Sequence, residues 1–361
     1  MNNVLSTLRD QAKHESPRIL LPEHHDERVL TAAADAARDG VARPVVFDTP
    51  ESLQEICEKQ GLDPGLFEIR TRPSGETDDR YVQEYAELRG VSESTAATML
   101  ESDLVLGMLL LRLDEVEGVV AGALHPTGEV VAVANSVVGL DPEIDTASSF
   151  FLMVTDNLDV GHNGGLLYAD CGVNIDPSSG QLADIAQTTA KTARRLLDWE
   201  PKVAMLSFST KGSANHKSVK KVREATETVR GRTNILVEGE LQTDAALVPA
   251  VANRKVGEDA AIQGDANILV FPDLDAGNIA YKLTERIGGA KALGPVLQGY
   301  SRPLSDLSRG SAAEDIYNII MLTSARAVNW GDPPTGSIIS GGLLGRREEQ
   351  QQPLHPPPVA D

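Results

Sequence analysis

Ala204-Met-Leu-Ser-Phe-Ser-Thr-Lys-Gly-Ser-Ala214 passes from an apolar, strand-like run into a loop of Ser, Thr and Gly, and a helical stretch follows from about Ser218. The same succession recurs at Ile268-Leu-Val-Phe-Pro-Asp-Leu-Asp-Ala-Gly-Asn-Ile-Ala-Tyr-Lys282. It recurs again at Ser305-Asp-Leu-Ser-Arg-Gly-Ser-Ala-Ala-Glu-Asp315, where the preceding strand is least distinct. Further apolar runs lie at Ile19–Leu21, Val45–Phe47, Val116–Ala123, Leu166–Tyr168 and Asn234–Val237. Between the runs come amphipathic stretches at Arg28–Asp39, Asp79–Leu88, Ser92–Ser102, Asp184–Leu197, Ser218–Arg230 and Asp275–Ile287. Such alternation predicts an α/β fold with a largely parallel sheet covered on both faces. Val116–Val138 breaks the rhythm with β-rich segments around Pro126-Thr127-Gly128, which predicts a hairpin or edge. Asp141–Phe150 reads as a crossing between domains.

Composition narrows the class. The 361 residues suit two domains, and 41% hydrophobic content suffices for a sizeable core. The apolar run Leu104–Leu111 is far short of a bilayer span. Met1-Asn2-Asn3-Val4 has no basic region leading into an apolar one, so no secretory signal is expected. Cys57 and Cys171 cannot build a disulfide framework or a four-thiolate zinc site. A cytoplasmic protein with no membrane partner follows as the expectation. Asp and Glu number 53 against 33 Lys and Arg, a net charge of −20 that repels phosphate backbones and excludes nucleic acid as a partner. With 11 Lys against 22 Arg, the balance fits a salt-adapted cytoplasm; an ordinary acidic enzyme is the alternative. Residues 332–361 hold six of the 20 prolines with Gly and Gln runs, and are expected to be disordered.

Loops at the carboxyl ends of parallel strands are where open α/β sheets bind ligands, and helix N-termini there suit phosphate. No Walker loop and no G-x-G-x-x-G is present, which removes the main support for kinase and nicotinamide functions. The third loop carries the densest chemistry. Ser311-Ala-Ala-Glu314 has the pattern of a capping box, predicting a helix from Ala312 to about Val328 with Asp315 in its first turn. Ser308 and Arg309 precede it, so one turn presents a hydroxyl, a guanidinium and a carboxylate. An acid that only complements the helix dipole, beside a solvated arginine, has the same pattern. His24-His25-Asp26 reads as a surface loop, so no metal is expected. Cys171 reads as core. Lys217, Lys220, Lys221 and Arg223 are either a solvated helix face or a docking patch for a polyanion.

Six segments together resemble the phosphate acetyltransferase and phosphate butyryltransferase family. They are Leu21-Pro22-Glu23 with Asp26-Glu27-Arg28, Ser207–Ala214, Glu238–Ala246, Phe271–Asn278, Gly294–Gly299 and Asp306–Gly310, running in order from about Ile19 to Ala327. The resemblance implies the reaction acetyl-CoA + phosphate ⇌ acetyl phosphate + CoA, with CoA as a substrate, no cofactor and a homodimer. It implies a two-domain α/β/α architecture like the isocitrate and isopropylmalate dehydrogenases, with the site in the cleft between domains. Domain I would be residues 1–144 plus 297–331, carrying the catalytic turn. Domain II would be 145–296, with the dimer contact and the phosphate and CoA loops. The resemblance assigns Asp315 as the base for the CoA thiol, Ser308 as the group orienting thiol or carbonyl, and Arg309 as holding the acyl phosphate. It matches Arg28 and Arg89 to arginines of CoA recognition, and Thr127, Asn278, Tyr281 and Lys282 to phosphate contacts.

The chain departs from the family pattern at Ala132, where an arginine is expected, and at His24-His25, where a glycine is common. The first change leaves open a longer acyl group, as in a phosphate butyryltransferase, or a non-catalytic domain that senses acetyl-CoA. A β-decarboxylating dehydrogenase would share the fold, but no metal-binding aspartates or nicotinamide site are visible.

Overall fold

The computed structural model describes residues 3–72 and 76–330; the expectation for the tail 332–361 falls outside them. The described strands are β1 (Arg18–Leu20), β2 (Arg43–Phe47), β3 (Glu68–Arg70), β4 (Gly118–Ala121), β5 (Ser148–Val154), β6 (Gly165–Ala169), β7 (Lys202–Leu206), β8 (Leu236–Leu241), β9 (Ile268–Val270), β10 (Lys291–Gln298) and β11 (Leu304–Asp306). The helices are α1 (Asn3–Glu15), α2 (Glu27–Arg38), α3 (Pro50–Gln60), α4 (Glu76–Arg89), α5 (Glu93–Met99), α6 (Asp103–Arg112), α7 (Thr127–Val133), α8 (Ser179–Leu197), α9 (Lys217–Arg232), α10 (Thr243–Leu247), α11 (Pro249–Lys255), α12 (Leu274–Arg286) and α13 (Ala313–Val328).

All the described strands join one sheet in the order β3-β2-β1-β4-β11-β10-β5-β6-β9-β7-β8. The outer blocks are parallel within themselves, but β10 pairs antiparallel with both β11 and β5, and β5 pairs antiparallel with β6. The two parallel blocks therefore run in opposite directions on either side of an antiparallel centre. β5 is buried at every residue, which explains why it shows no alternation in sequence.

Strand alternation sorts the core into layers. Ile19 and Leu21 face a core that continues across the whole sheet through Val120, Phe150, Leu167 and Val203, covered by α1, α2, α8, α9 and α13. On the opposite face the core is split. Leu20, Val45 and Val119 pack under α4, α6 and α7, whereas Phe151, Met153, Tyr168 and Leu206 form a separate cluster that takes Ala276 and Ala280 of α12. The space between these clusters is where the site forms.

Capping explains several boundaries. Asp26 accepts from the Arg28 backbone to open α2, Thr49 with Pro50 opens α3, and Ser178 with Gln181 forms a complete capping box on α8. Two sequence expectations need correction. Residues 127–133 are helical and no hairpin forms at Pro126. Val130, Ala134, Val137 and Val138 recur at helical spacing and are buried together, so tertiary packing overrides the β propensity of the valines. Nor do Ser311 and Glu314 form a capping box. The helix begins one residue later, and Asp315 reaches back to accept from the Ala312 backbone N–H at 2.9 Å. Ala312 has no side-chain acceptor, so only half of the reciprocal arrangement exists.

Candidate active site

Three loops converge on the gap in the split core. The β11–α13 turn brings Leu307, Ser308, Arg309 and Gly310; the loop after β4 brings His125 and Thr127; α12 brings Asn278, Tyr281 and Lys282. Gly277 permits the last approach, since a Cβ there would lie 2.2 Å from the Asp170 carbonyl oxygen. Asp170 orders the opposite wall: its carboxylate accepts from the backbone N–H groups of Gly172, Val173 and Asn174 and from the Ser149 hydroxyl.

The resulting cleft has two adjoining compartments of about 420 and 360 Å³. His125, Thr127, Asn278 and Arg309 line the first, and Asp315, Arg286 and Asn318 the second. Ser308, Tyr281 and Lys282 border both. Tyr281 stacks on Phe151 with ring centroids 3.9 Å apart, and the Lys282 ammonium lies 4.4 Å from the Tyr281 ring centre. That stack holds a cation at the junction. Among the described residues no hydrogen bond or ion pair engages the Arg309 guanidinium, which leaves its fork open to an anion.

Residues 3–324 match the family model described as phosphate acetyl/butaryl transferase. The chain belongs to this family. It is an acyltransferase enzyme, 39% identical over 329 residues to a phosphate acetyltransferase of Clostridium acetobutylicum, covering 90% of this chain and 98% of that protein. A phosphotransacetylase crystal structure from Streptococcus pyogenes superposes with a TM-score of 0.84 at 38% identity, over 91% of this chain and 99% of that one. A structure described as a 4-hydroxythreonine-4-phosphate dehydrogenase from Salmonella typhimurium matches at TM-score 0.50 and 13% identity, over 86% of this chain and 99% of the other. That last likeness extends the fold, and only the fold, to a dehydrogenase.

Within the transferase, seven of the nine sequence-derived site residues line the cleft: Thr127, Asn278, Tyr281, Lys282, Ser308, Arg309 and Asp315. Arg89 does not. It ends α4 and donates to the Ser136 carbonyl at 3.2 Å, in the π-helical segment Ala134–Val138 that continues α7. Arg28 stands behind the wall. Its Nε and Nη2 bind the Asp26 carboxylate, Nη1 donates to the carbonyls of Arg309 (2.8 Å) and Ser311 (2.9 Å), and Nη2 also reaches Ala123. All five N–H groups are committed, so the guanidinium braces the turn that carries Ser308 and Arg309. Arg28→Met is therefore expected to lower kcat by about 10²-fold through misplacement of the turn, with the KM for CoA little changed. A raised KM with kcat intact would instead indicate direct CoA contact.

The loop Ser207–Ala214 is absent from the cleft walls. β7 lies beyond β9 in the sheet, and this loop is pinned by Glu238 and Glu240, which bind Lys211 and the Ser209 hydroxyl. Arg223 joins the same knot, while Lys221 pairs with Asp176 and Lys220 with Glu224. The basic cluster is thus largely engaged within the chain. Cys171 is buried as expected, and burial pushes its thiol well up from the ordinary range. His24, in contrast, is no surface residue: it is fully buried, with Nε2 3.0 Å from Asp48 Oδ2. His24, His25 and Asp48 are the described group that could offer three ligand atoms within 4.8 Å of one another.

Sequence reasoning missed two acids that shape the site. Glu23 is buried and accepts from four consecutive backbone N–H groups, Gly122 to His125, and from the His125 ring. It moulds the loop that delivers Thr127. Asp306 is fully buried at the cleft floor; its Oδ2 accepts from the Thr127 hydroxyl at 2.5 Å, and Oδ1 has no partner among the described residues. Burial pushes the Asp306 carboxyl up to about 7, against the Thr127 hydrogen bond. Asp306 ends β11 and Glu23 lies three residues beyond β1; both fall in the segments that carry the family resemblance, and that was the available signal.

The raised value fixes a sign. The folded chain holds the Asp306 proton more tightly than the unfolded chain, so the associated stability is full below about pH 4 and is lost as pH rises through about 7. Asp306→Asn should flatten this dependence. Between pH 5 and 8 the wild type should lose ~2–3 kcal/mol relative to the variant, at ~1.4 kcal/mol per pKa unit. Urea unfolding at the two pH values measures it; parallel curves would show that Asp306 does not titrate in that window.

Proposed function

We propose that the chain is a phosphate acetyltransferase, catalysing acetyl-CoA + phosphate ⇌ acetyl phosphate + CoA. The observation that carries this is the division of the cleft about Ser308, with Asp315 in one compartment and Arg309 in the other. In the direction of acetyl-CoA synthesis, the free oxygen of Asp315 takes the proton of the CoA thiol. The thiolate attacks the acetyl carbonyl carbon, a C–S bond forms, and the C–O bond to phosphate breaks. Phosphate departs with the bonding pair, its charge held by Arg309 and Lys282, while the Asp315 proton passes to phosphate or solvent. Ser308 orients carbonyl or thiol at the junction. Thr127, Asn278 and Tyr281 complete the phosphate compartment, and Arg89 serves CoA on the outer surface. CoA is a substrate, and the scheme calls on no cofactor.

The split core supports a two-domain division close to 1–144 plus 297–331 and 145–296: one cluster draws on Leu20 to Val138 with Leu297, Tyr300 and Leu304, the other on Phe151 to Ala292. A cytoplasmic homodimer adapted to salt completes the proposal, motivated by the family and by the net charge of −20. The test is phosphate-dependent release of CoA from acetyl-CoA and from butyryl-CoA at matched concentrations, across a KCl series. Acetyl-CoA should be the faster substrate. Preference for butyryl-CoA would shift the acyl specificity, and no release from either would refute the activity.

A further inference from the structure

A second cavity, of about 60 Å³, lies apart from the cleft and shares no lining residue with it. It is enclosed by the C-terminal half of α8, the end of β10 and the last turns around α13. Its walls are cationic in a chain of net charge −20. α13 delivers Arg326, only 6% exposed, and among the described residues no carboxylate pairs with it. Its hydrogen bond runs from Nη1 to the Leu304 carbonyl at 3.2 Å, which leaves the Nε–Nη2 edge uncommitted. The Trp330 ring centre lies 5.5 Å from the guanidinium carbon, and the indole is itself anchored to the Ser301 carbonyl. Burial alone pushes the Arg326 guanidinium down to about 10, as befits a cation with no counter-charge beside it.

Two further groups face the same space without partners. Among the described residues the buried Nε of Arg195 on α8 donates to nothing, and the buried Thr188 hydroxyl is likewise unpaired. One acid, Asp141, lines the cavity and accepts from the Glu143 backbone N–H, while Glu143 itself binds Lys191; neither carboxylate pairs with Arg195 or Arg326 among the described residues. Buried charges are normally paired and buried donors normally bonded. Here a guanidinium without a counter-charge and two donors without acceptors, among the described residues, converge on a cavity with room for several waters. What they lack is one partner, negative and rich in oxygen acceptors. The open edge of Arg326 is the side that binds carboxylate or phosphate through two parallel hydrogen bonds.

We propose that this cavity binds a small oxyanion, a carboxylate or a phosphate, held by Arg195, Arg326 and Thr188. Trp330 supplies the readout. In the full chain carrying Trp199→Phe it is the sole tryptophan. Its emission should change saturably when sodium phosphate or sodium acetate is titrated at constant ionic strength against KCl, and comparison of the two titrations identifies the preferred oxyanion. Arg195→Met in that background should weaken the response about tenfold or more, while Arg309→Ala should leave it in place. Circular dichroism confirms that each variant is folded. Three outcomes would overturn the proposal: no saturable response to either anion, an equal response in Arg195→Met, or a response abolished by Arg309→Ala, which would assign the signal to the cleft.

Discussion

Asp315→Asn is expected to lower turnover by ~10²–10⁴-fold, the usual loss when a general base is removed, while CoA still binds. The geometry isolates the effect. One carboxylate oxygen of Asp315 accepts from the Ala312 backbone and secures the start of α13. The asparagine carbonyl can accept that same bond, so the helix terminus survives and only proton acceptance is lost. Calorimetric titration with CoA should give a dissociation constant within about twofold of wild type, since an exposed first-turn carboxylate contributes little to ground-state binding. A variant retaining more than about a tenth of wild-type turnover would remove Asp315 from the role of base.

Arg309→Ala is expected to damage both binding of the phosphoryl substrate and turnover, with kcat/KM for acetyl phosphate down by ~10²–10³-fold. A guanidinium meets phosphate in the ground state and again as charge gathers on the departing group, so both constants suffer. The turn itself should persist, because Arg28 grips the Arg309 carbonyl and not its side chain. Arg309→Lys should recover part of the loss, since an ammonium restores charge without the planar fork. Unchanged kinetics for acetyl phosphate and phosphate would place Arg309 outside the site.

How much of this was legible beforehand depended on the range of the interaction. The helices α2, α9 and α12 could be read to within one residue of their starts, because their apolar faces lie within each segment. α8 instead begins at Ser179, five residues before the expected Asp184, on a capping box at Ser178. The central strands β5 and β10 escaped. Buried on both faces, β5 carries no alternation, and β10 wraps Gly294-Pro295 into a register shift. Val130 to Val138 misled because valines favour strands until a buried face at helical spacing claims them.

The sequence by itself determined the class of fold, the family and the turn from Ser308 to Asp315, because each is written in contiguous residues with their own spacing. Only the tertiary structure decided which loops share a cleft. It admitted the α12 loop and excluded Ser207–Ala214, a choice set by strand order in the sheet and invisible to local pattern. It also gave Arg28 the work of a brace, Glu23 the moulding of the loop after β4, Asp306 the floor of the site, and Arg326 a burial with no carboxylate partner among the described residues. The physical reason is common to all four. A charged side chain is defined by what surrounds it, and here the surroundings come from segments far away in the chain, up to 283 residues in the case of Arg28 and Ser311.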